Sequence, residues 1–123
     1  MLPQPVQRPR VPIWVVGVWP RGRSMQRALR WDGVIAQKYG SPPDNSGPSA
    51  DECVAIKRYI DQHRADPQGF ELVAGGTTPA ENRKRAIGEV RAYAEAGATW
   101  WTENMWSPDA ETALKRIKAG PPH

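Results

Sequence analysis

Apolar runs and amphipathic stretches alternate four times along this chain. Residues 11–18 form a continuous apolar run rich in β-branched side chains, which predicts a strand covered on both faces. Shorter runs at residues 34–36, 70–74 and 98–101 predict three more strands. No strand is followed by a two-residue hairpin turn. The alternation of strands and helices therefore predicts a parallel sheet with right-handed crossovers.

Two helices are predicted in the first half of the chain. Apolar residues at helical spacing predict the first over residues 24–31. The second begins at Ser49, because Glu52 three residues later completes a capping box, and it is expected to end near His63 or Arg64.

Two further helices are predicted in the second half. Thr78 is expected to cap the third, with Pro79 in its first turn, Glu81 completing a capping box and Gly97 ending it in the left-handed conformation. The fourth is expected to begin at residues 107–108 and to end at residues 120–122. The expected inner faces are Ala86, Ile87, Val90, Tyr93 and Ala94 in the third helix, and Ala110, Ala113, Leu114 and Ile117 in the fourth.

Two segments lack this periodicity. Residues 1–10 contain three prolines and are expected to form an extended lead-in, which leaves residues 11–123 as one domain. Residues 39–48 are rich in Pro, Gly, Ser and Asn and are expected to form a mobile loop at the ligand-binding end. The predicted class is α/β, with four β-α units and parallel strands.

Composition narrows the class of protein. The chain has 123 residues, 39% of them apolar and six of them Trp, which argues against global disorder. The sequence shows neither a membrane-spanning run nor a signal-peptide core, so the expected location is the cytoplasm. A single Cys and two distant His cannot by themselves build a disulfide or a zinc site, and no metal is expected.

The net charge of +4 does not by itself indicate nucleic-acid binding. Most basic residues alternate with acidic residues, as on solvated helix faces, and no nucleic-acid-binding motif is present. One local excess favours an anionic ligand, or is simply an exposed surface. It comprises Arg8, Arg10, Arg21, Arg23, Arg27 and Arg30, with no acidic residue before Asp32.

The loops after the predicted strands hold the candidate phosphate-binding residues, because ligands of parallel α/β folds bind at the carboxyl ends of the strands. One candidate is the turn after the first strand, with the backbone N–H groups of Gly17, Val18 and Trp19 and the guanidinium of Arg21. The other is the segment Gly75, Gly76 and Thr77. Either segment is also compatible with an ordinary tight strand-to-helix turn.

Trp101 and Glu103 are the candidate substrate-pocket residues, at the end of the last strand. Trp100 and Trp101 must face opposite sides of the sheet, so only one can point inward while the other packs beneath a helix. Glu103 could act as an acid, a base or a hydrogen-bond acceptor, or be a solvated surface residue. Catalytic residues cannot be assigned, because no nucleophile–base pair or carboxylate pair is evident, and a cofactor would have to supply the chemistry.

Four segments in order resemble the bacterial luciferase-like monooxygenase family. They read VPIWVVGVWPRGRSMQRALRWDGVIA, ELVAGGTTP, YAEAGATWWTENMW and IKAGPP. The resemblance implies an oxidoreductase with a TIM-barrel fold that uses reduced flavin mononucleotide (FMN) or coenzyme F420. It also implies that the turn at Gly17 to Trp19 holds the phosphate-bearing tail of the cofactor.

The resemblance covers the C-terminal half of such a barrel, since a complete (β/α)₈ barrel needs about 250 residues. The expected partners are therefore a small-molecule cofactor and substrate, and a second half-barrel, either another copy of this chain or a separate N-terminal polypeptide. The alternative function is a non-catalytic half-barrel that dimerises and binds a phosphorylated small molecule.

Overall fold

Strands and helices alternate along the chain in the structure, a computed structural model that describes residues 3–4, 6–40, 47–105 and 108–122. The strands are β1 (Trp14–Trp19), β2 (Gly33–Lys38), β3 (Glu71–Gly76) and β4 (Trp100–Glu103). The helices are α1 (Gly22–Ala28), α2 (Ala50–His63), α3 (Arg83–Glu95) and α4 (Ala110–Ala119). The predicted α/β class with four β-α units is confirmed.

The four strands form one parallel sheet in the order β1-β2-β3-β4. Gly17 pairs with Ala36, Ile35 with Val73, and Ala74 with Trp101. Each strand thus lies beside the one that precedes it in sequence, as strands do in a (β/α)₈ barrel. The open carboxyl edge carries the loops in which the sequence predicts a site.

One face of the sheet is covered by helices and carries the main core. Met25 of α1 and Ile56 and Ile60 of α2 are fully buried with the strand residues Val34 and Leu72. A smaller cluster joins Cys53, Ala74 and Ala96 beneath α2 and α3. Burial raises the pKa of the Cys53 thiol to about 11, so the cysteine serves as a small apolar core residue.

Helices do not cover the opposite face in the described part of the chain, and two tryptophans meet on it. The rings of Trp14 in β1 and Trp100 in β4 have centroids 5.3 Å apart, although these are the two outer strands. Three strand spacings separate such strands by about 14 Å in a flat sheet, so the contact requires the sheet to curve toward this face, the indoles to lean over the strands between them, or both. Gly33 makes room, because a Cβ there would lie 2.7 Å from Cδ1 of Trp14.

The cap of α2 confirms the sequence prediction. The Ser49 hydroxyl accepts from the Glu52 backbone N–H at 3.2 Å, and the Glu52 carboxylate accepts from the Ser49 N–H at 2.8 Å. Gly97 has a φ of 105° just after α3, as expected for the residue that ends a helix.

The predicted beginning of α3 is wrong. The helix starts at Arg83, and its N-cap is Asn82, whose side chain accepts from the Arg85 N–H at 3.0 Å. Thr78 does not cap it, because its backbone N–H and its hydroxyl both donate to the Glu103 carboxylate on β4. Ala94 is exposed, contrary to its predicted place on the inner face.

The predicted inner face of α4 is also wrong. The helix starts at Ala110 with Asp109 as its N-cap, and the predicted start at Ser107 lies outside the described residues. Leu114 is 49% exposed and Ile117 is 70% exposed, whereas Arg116 is buried. The helix is therefore turned so that its arginine, rather than its apolar stripe, is buried.

The other strand and helix limits differ from the predictions by a few residues. The first strand begins at Trp14 rather than at residue 11, and α1 begins at Gly22 rather than at residue 24. Most of the loop predicted at 39–48 lies outside the described residues. Within the described ranges, none of the helices combines the length and the apolar character needed to cross a membrane.

Candidate functional site

The turn after β1 is built by backbone and side-chain hydrogen bonds. The Val18 carbonyl accepts from the Arg21 N–H at 2.8 Å, and the Val18 N–H donates to the Ser24 hydroxyl at 3.0 Å. Trp19 packs edge-on against Tyr59 of α2, with ring centroids 5.7 Å apart. The Val18 N–H is thus already bound within the protein, to the Ser24 hydroxyl.

Gly17 lies within β1 and faces α1. A Cβ at this position would lie 2.5 Å from Cγ2 of Val34 and 3.0 Å from Sδ of Met25. The glycine is therefore explained by the close approach of Val34 in β2 and of α1 to this position. A role for Gly17, Val18 and Trp19 at a phosphate remains a prediction.

An arginine-lined cavity of about 600 Å³ opens beside this turn. The guanidinium of Arg21 lies 3.8 Å from the centre of the Tyr39 ring, which holds it at the carboxyl edge of β1 and β2. Among the described residues, Arg21, Arg23 and Arg27 form no ion pair with a carboxylate. Their charge is therefore available to an anion. The cavity is lined by Arg21, Gly22, Arg23, Ser24 and Arg27.

The end of β2 carries an ion pair. Lys38 lies 3.0 Å from a carboxylate oxygen of Glu52 at the start of α2. The pKa of Glu52 is lowered, first by the Ser49 backbone N–H and then by Lys38. The pair joins the strand to the capped end of the helix.

Glu103 links the loop after β3 to the end of β4. One carboxylate oxygen accepts from the Thr78 N–H at 2.5 Å, and the other accepts from the Thr78 hydroxyl at 2.8 Å and from the Trp101 indole N–H at 3.1 Å. Three donors thus fix the carboxylate. Glu103 therefore acts as a hydrogen-bond acceptor that positions the loop, which is one of the alternatives predicted from the sequence.

The glycines at the end of β3 allow this strand and the loop after it to lie close to β4. A Cβ on Gly75 would lie 2.5 Å from Nδ2 of Asn104, and one on Gly76 would lie 2.9 Å from Cη2 of Trp101. Thr77 donates its hydroxyl to the Asn104 carbonyl at 2.5 Å. These contacts account for the two glycines by packing, and their role at a cofactor remains a prediction.

Trp100 and Trp101 lie on opposite faces, as the sequence predicts. Trp100 contacts Trp14 on the face without helices, whereas Trp101 packs against Tyr93 of α3 with ring centroids 5.0 Å apart. Trp101 and Glu103 line one cavity of about 390 Å³ on the helix-covered side, together with Met105, Arg116, Ile117, Gly120, Pro121 and Pro122.

The predicted site residues thus form two separate groups along the carboxyl edge of the sheet. Arg21 lies in the cavity beside β1, while Trp101 and Glu103 lie in the cavity beside β4, and these are the outer strands of the sheet. Thr77 lines a third cavity, next to the second group. In the described part of the chain, none of the three cavities joins the two groups.

Arg116 is the residue that sequence reasoning missed. It is 7% exposed, donates through Nη2 to the Gly120 carbonyl and lines two cavities. The sequence gives little signal for this, since an arginine in the last turn of an amphipathic helix is normally solvated. Only its position three residues after Ala113, one of the apolar positions of the helix, hints at burial.

The described residues contain no group of three His, Cys, Asp or Glu side chains placed to hold a metal ion. Neither a family model nor a curated protein matches the chain. The interpretation as a luciferase-like protein therefore depends on the four sequence segments given above.

Proposed function

We propose that this chain is the cofactor-phosphate side of a luciferase-like oxidoreductase that uses reduced FMN or coenzyme F420. The observation that carries the proposal is the arginine-lined cavity at the carboxyl edge of β1, where parallel α/β proteins bind ligands. The resemblance of the four sequence segments supports the choice of cofactor. A cytoplasmic location and the cofactor-binding roles predicted above for individual residues belong to the same proposal.

The residues of the cavity fit a phosphate ester by their chemistry. Arg21 and Arg23 supply forked guanidinium donors, and the Ser24 hydroxyl, which accepts from Val18, still has its proton to donate. A bound flavin or F420 would supply the hydride or oxygen chemistry. The protein would bind the phosphate through the arginines and keep Arg21 oriented by its stacking on Tyr39.

Binding of FMN and of riboflavin, which lacks the phosphate, tests this proposal by isothermal titration calorimetry. FMN is expected to bind at least tenfold more tightly than riboflavin, because a charge-assisted hydrogen bond contributes about 1.5–3 kcal/mol. The double variant Arg21→Gln, Arg23→Gln should lose that difference. F420 titrated in parallel distinguishes the two cofactors.

Arg91→Gln is the matched control, because Arg91 is an exposed arginine on α3, away from the cavity. This variant should retain the preference for FMN. Equal affinities for FMN and riboflavin in the parent protein would contradict the proposal, as would full retention of FMN binding in the double variant.

A second candidate function is a non-catalytic half-barrel that pairs with its own copy and binds a phosphorylated small molecule. The observation that favours it is the face without helices, on which Trp100 is 52% exposed, between outer strands β1 and β4 that have no further strand beside them among the described residues. Open edges and apolar faces favour association. Two copies related by a two-fold axis could pair β4 of each with β1 of the other.

Sedimentation equilibrium tests this second candidate. The parent chain is expected to sediment as a dimer, and Trp100→Glu should shift it to a monomer because a carboxylate would be buried in the paired face. Trp31→Glu is the control, at a position that is 37% exposed in the turn before β2. A monodisperse parent monomer would contradict pairing, and turnover of reduced FMN or F420 would favour the enzyme over the binding module.

A further inference from the structure

Arg116 is a buried charge without an acidic partner in the described part of the chain. Its residue exposure is 7%, and its guanidinium donates to the Gly120 carbonyl but forms no ion pair among the described residues. A guanidinium has five N–H donors in a planar fork that matches a carboxylate. Burial of an unpaired cation is unfavourable, so an anion that reached this group would be stabilised.

Arg116 lines both a polar cavity and an apolar one. The polar cavity has a volume of about 600 Å³ and is lined by Thr77, Thr78, Pro79, Ala80, Glu81, Met105, Thr112, Lys115 and Arg116. The apolar cavity, of about 390 Å³, is the one beside Trp101 and Glu103. Met105 and Arg116 line both cavities, so one ligand could contact both.

Two cations, Arg116 and Lys115, and two carboxylates, Glu81 and Glu103, line the two cavities, and among them only Arg116 is buried. Lys115 adds a second positive charge, although it also pairs with the exposed Glu111 at 3.1 Å. The carboxylate of Glu103 is already bound by two donors of Thr78 and by the indole of Trp101. Glu81 is exposed at the edge of the polar cavity.

We propose that Arg116 binds the carboxylate of a small organic acid whose aromatic or hydrocarbon body lies against Trp101, Met105 and Ile117. The volume of the apolar cavity is in the range of sites for small ligands. The proposal names the substrate class for the pocket of Trp101 and Glu103, and it rests on the proposed function only in calling this ligand a substrate.

Calorimetric titration with 2-naphthoate, without any cofactor present, tests the proposal. 2-Naphthalenemethanol supplies the same ring with a neutral head, and acetate supplies the carboxylate alone. Naphthoate is expected to bind at least tenfold more tightly than either. Arg116→Gln should remove the difference between naphthoate and the alcohol, Arg116→Lys should restore part of it, and Arg91→Gln should leave it unchanged.

Ile117→Asp provides a second variant in case Arg116→Gln fails to fold. Ile117 is 70% exposed, so the change should be tolerated, and its carboxylate should weaken naphthoate binding at least tenfold and the alcohol less. Equal affinity for naphthoate and the alcohol, or unchanged naphthoate binding in Ile117→Asp or in a folded Arg116→Gln variant, would overturn the proposal. Because cofactor is absent, such a failure is separate from a failure of the FMN titration.

Discussion

At the scale of single residues, Gly17 and Gly88 lie within regular elements but have different surroundings. A methyl group on Gly17 would lie 2.5 Å from Val34 Cγ2, whereas one on Gly88 would have no atom within 4 Å. Gly17→Ala is expected to lower the free energy of unfolding by about 1–3 kcal/mol through overpacking. Gly88→Ala, in the middle of α3, should raise it by about 0.5–1 kcal/mol. Urea denaturation measures both, and a neutral Gly17→Ala variant would contradict the packing described here.

Asp32 makes the stability of the fold depend on acid pH. Its carboxylate accepts from Arg10 Nη1 at 2.6 Å and from the Ile13 N–H at 2.7 Å, and these bonds lower its pKa. Because the pKa of Asp32 is lower in the folded chain than its unfolded value of about 3.9, the ionised carboxylate stabilises the fold above that value. This stabilisation is lost as the pH falls through the folded pKa. Asp32→Asn should therefore show a shallower fall in unfolding free energy below about pH 4. If the curves of unfolding free energy against pH were parallel for the parent protein and Asp32→Asn, this role of Asp32 would be ruled out.

At the scale of elements, the capping box of α2 is expected to stabilise the helix measurably. Ser49→Ala removes the acceptor for the Glu52 N–H and should lower the free energy of unfolding by about 1 kcal/mol. Gln62→Ala, at an exposed position of the same helix, should change it by less than about 0.5 kcal/mol. Chemical denaturation of the two variants gives the comparison, and an equal effect would show that the cap is not a stabilising feature.

Comparison of α2 with α3 shows how far element boundaries follow from sequence. Both helices are preceded by a capping-box pattern, Ser49 with Glu52 and Thr78 with Glu81, and only the first pattern is used. The first cap depends on neighbours in sequence alone. Thr78 instead binds Glu103, a residue 25 positions away whose proximity only the sheet creates. A local pattern therefore predicts a cap correctly only where no distant residue binds the same backbone and side-chain hydrogen-bonding groups.

At the scale of the whole molecule, the contact of Trp14 with Trp100 connects the two outer strands across the sheet. A double-mutant cycle with Trp14→Ala and Trp100→Ala should give a coupling energy of about 0.5–1.5 kcal/mol, the range of aromatic pairs. The pair Trp14→Ala and Trp31→Ala is the control and should be additive. Additivity of the Trp14 and Trp100 variants in urea denaturation would show that the rings do not interact in solution.

The sequence by itself determined the alternation of four strands and four helices, the parallel sheet, the cap at Ser49 and the opposite orientations of Trp100 and Trp101. These features depend on periodicity and on chemistry between near neighbours. Only the tertiary structure decided that Thr78 is bound by Glu103, that α4 buries Arg116 while exposing Ile117, and that the candidate residues form separate cavities beside β1 and β4. Each of these depends on which distant groups meet once the sheet has formed, and no local pattern contains that information.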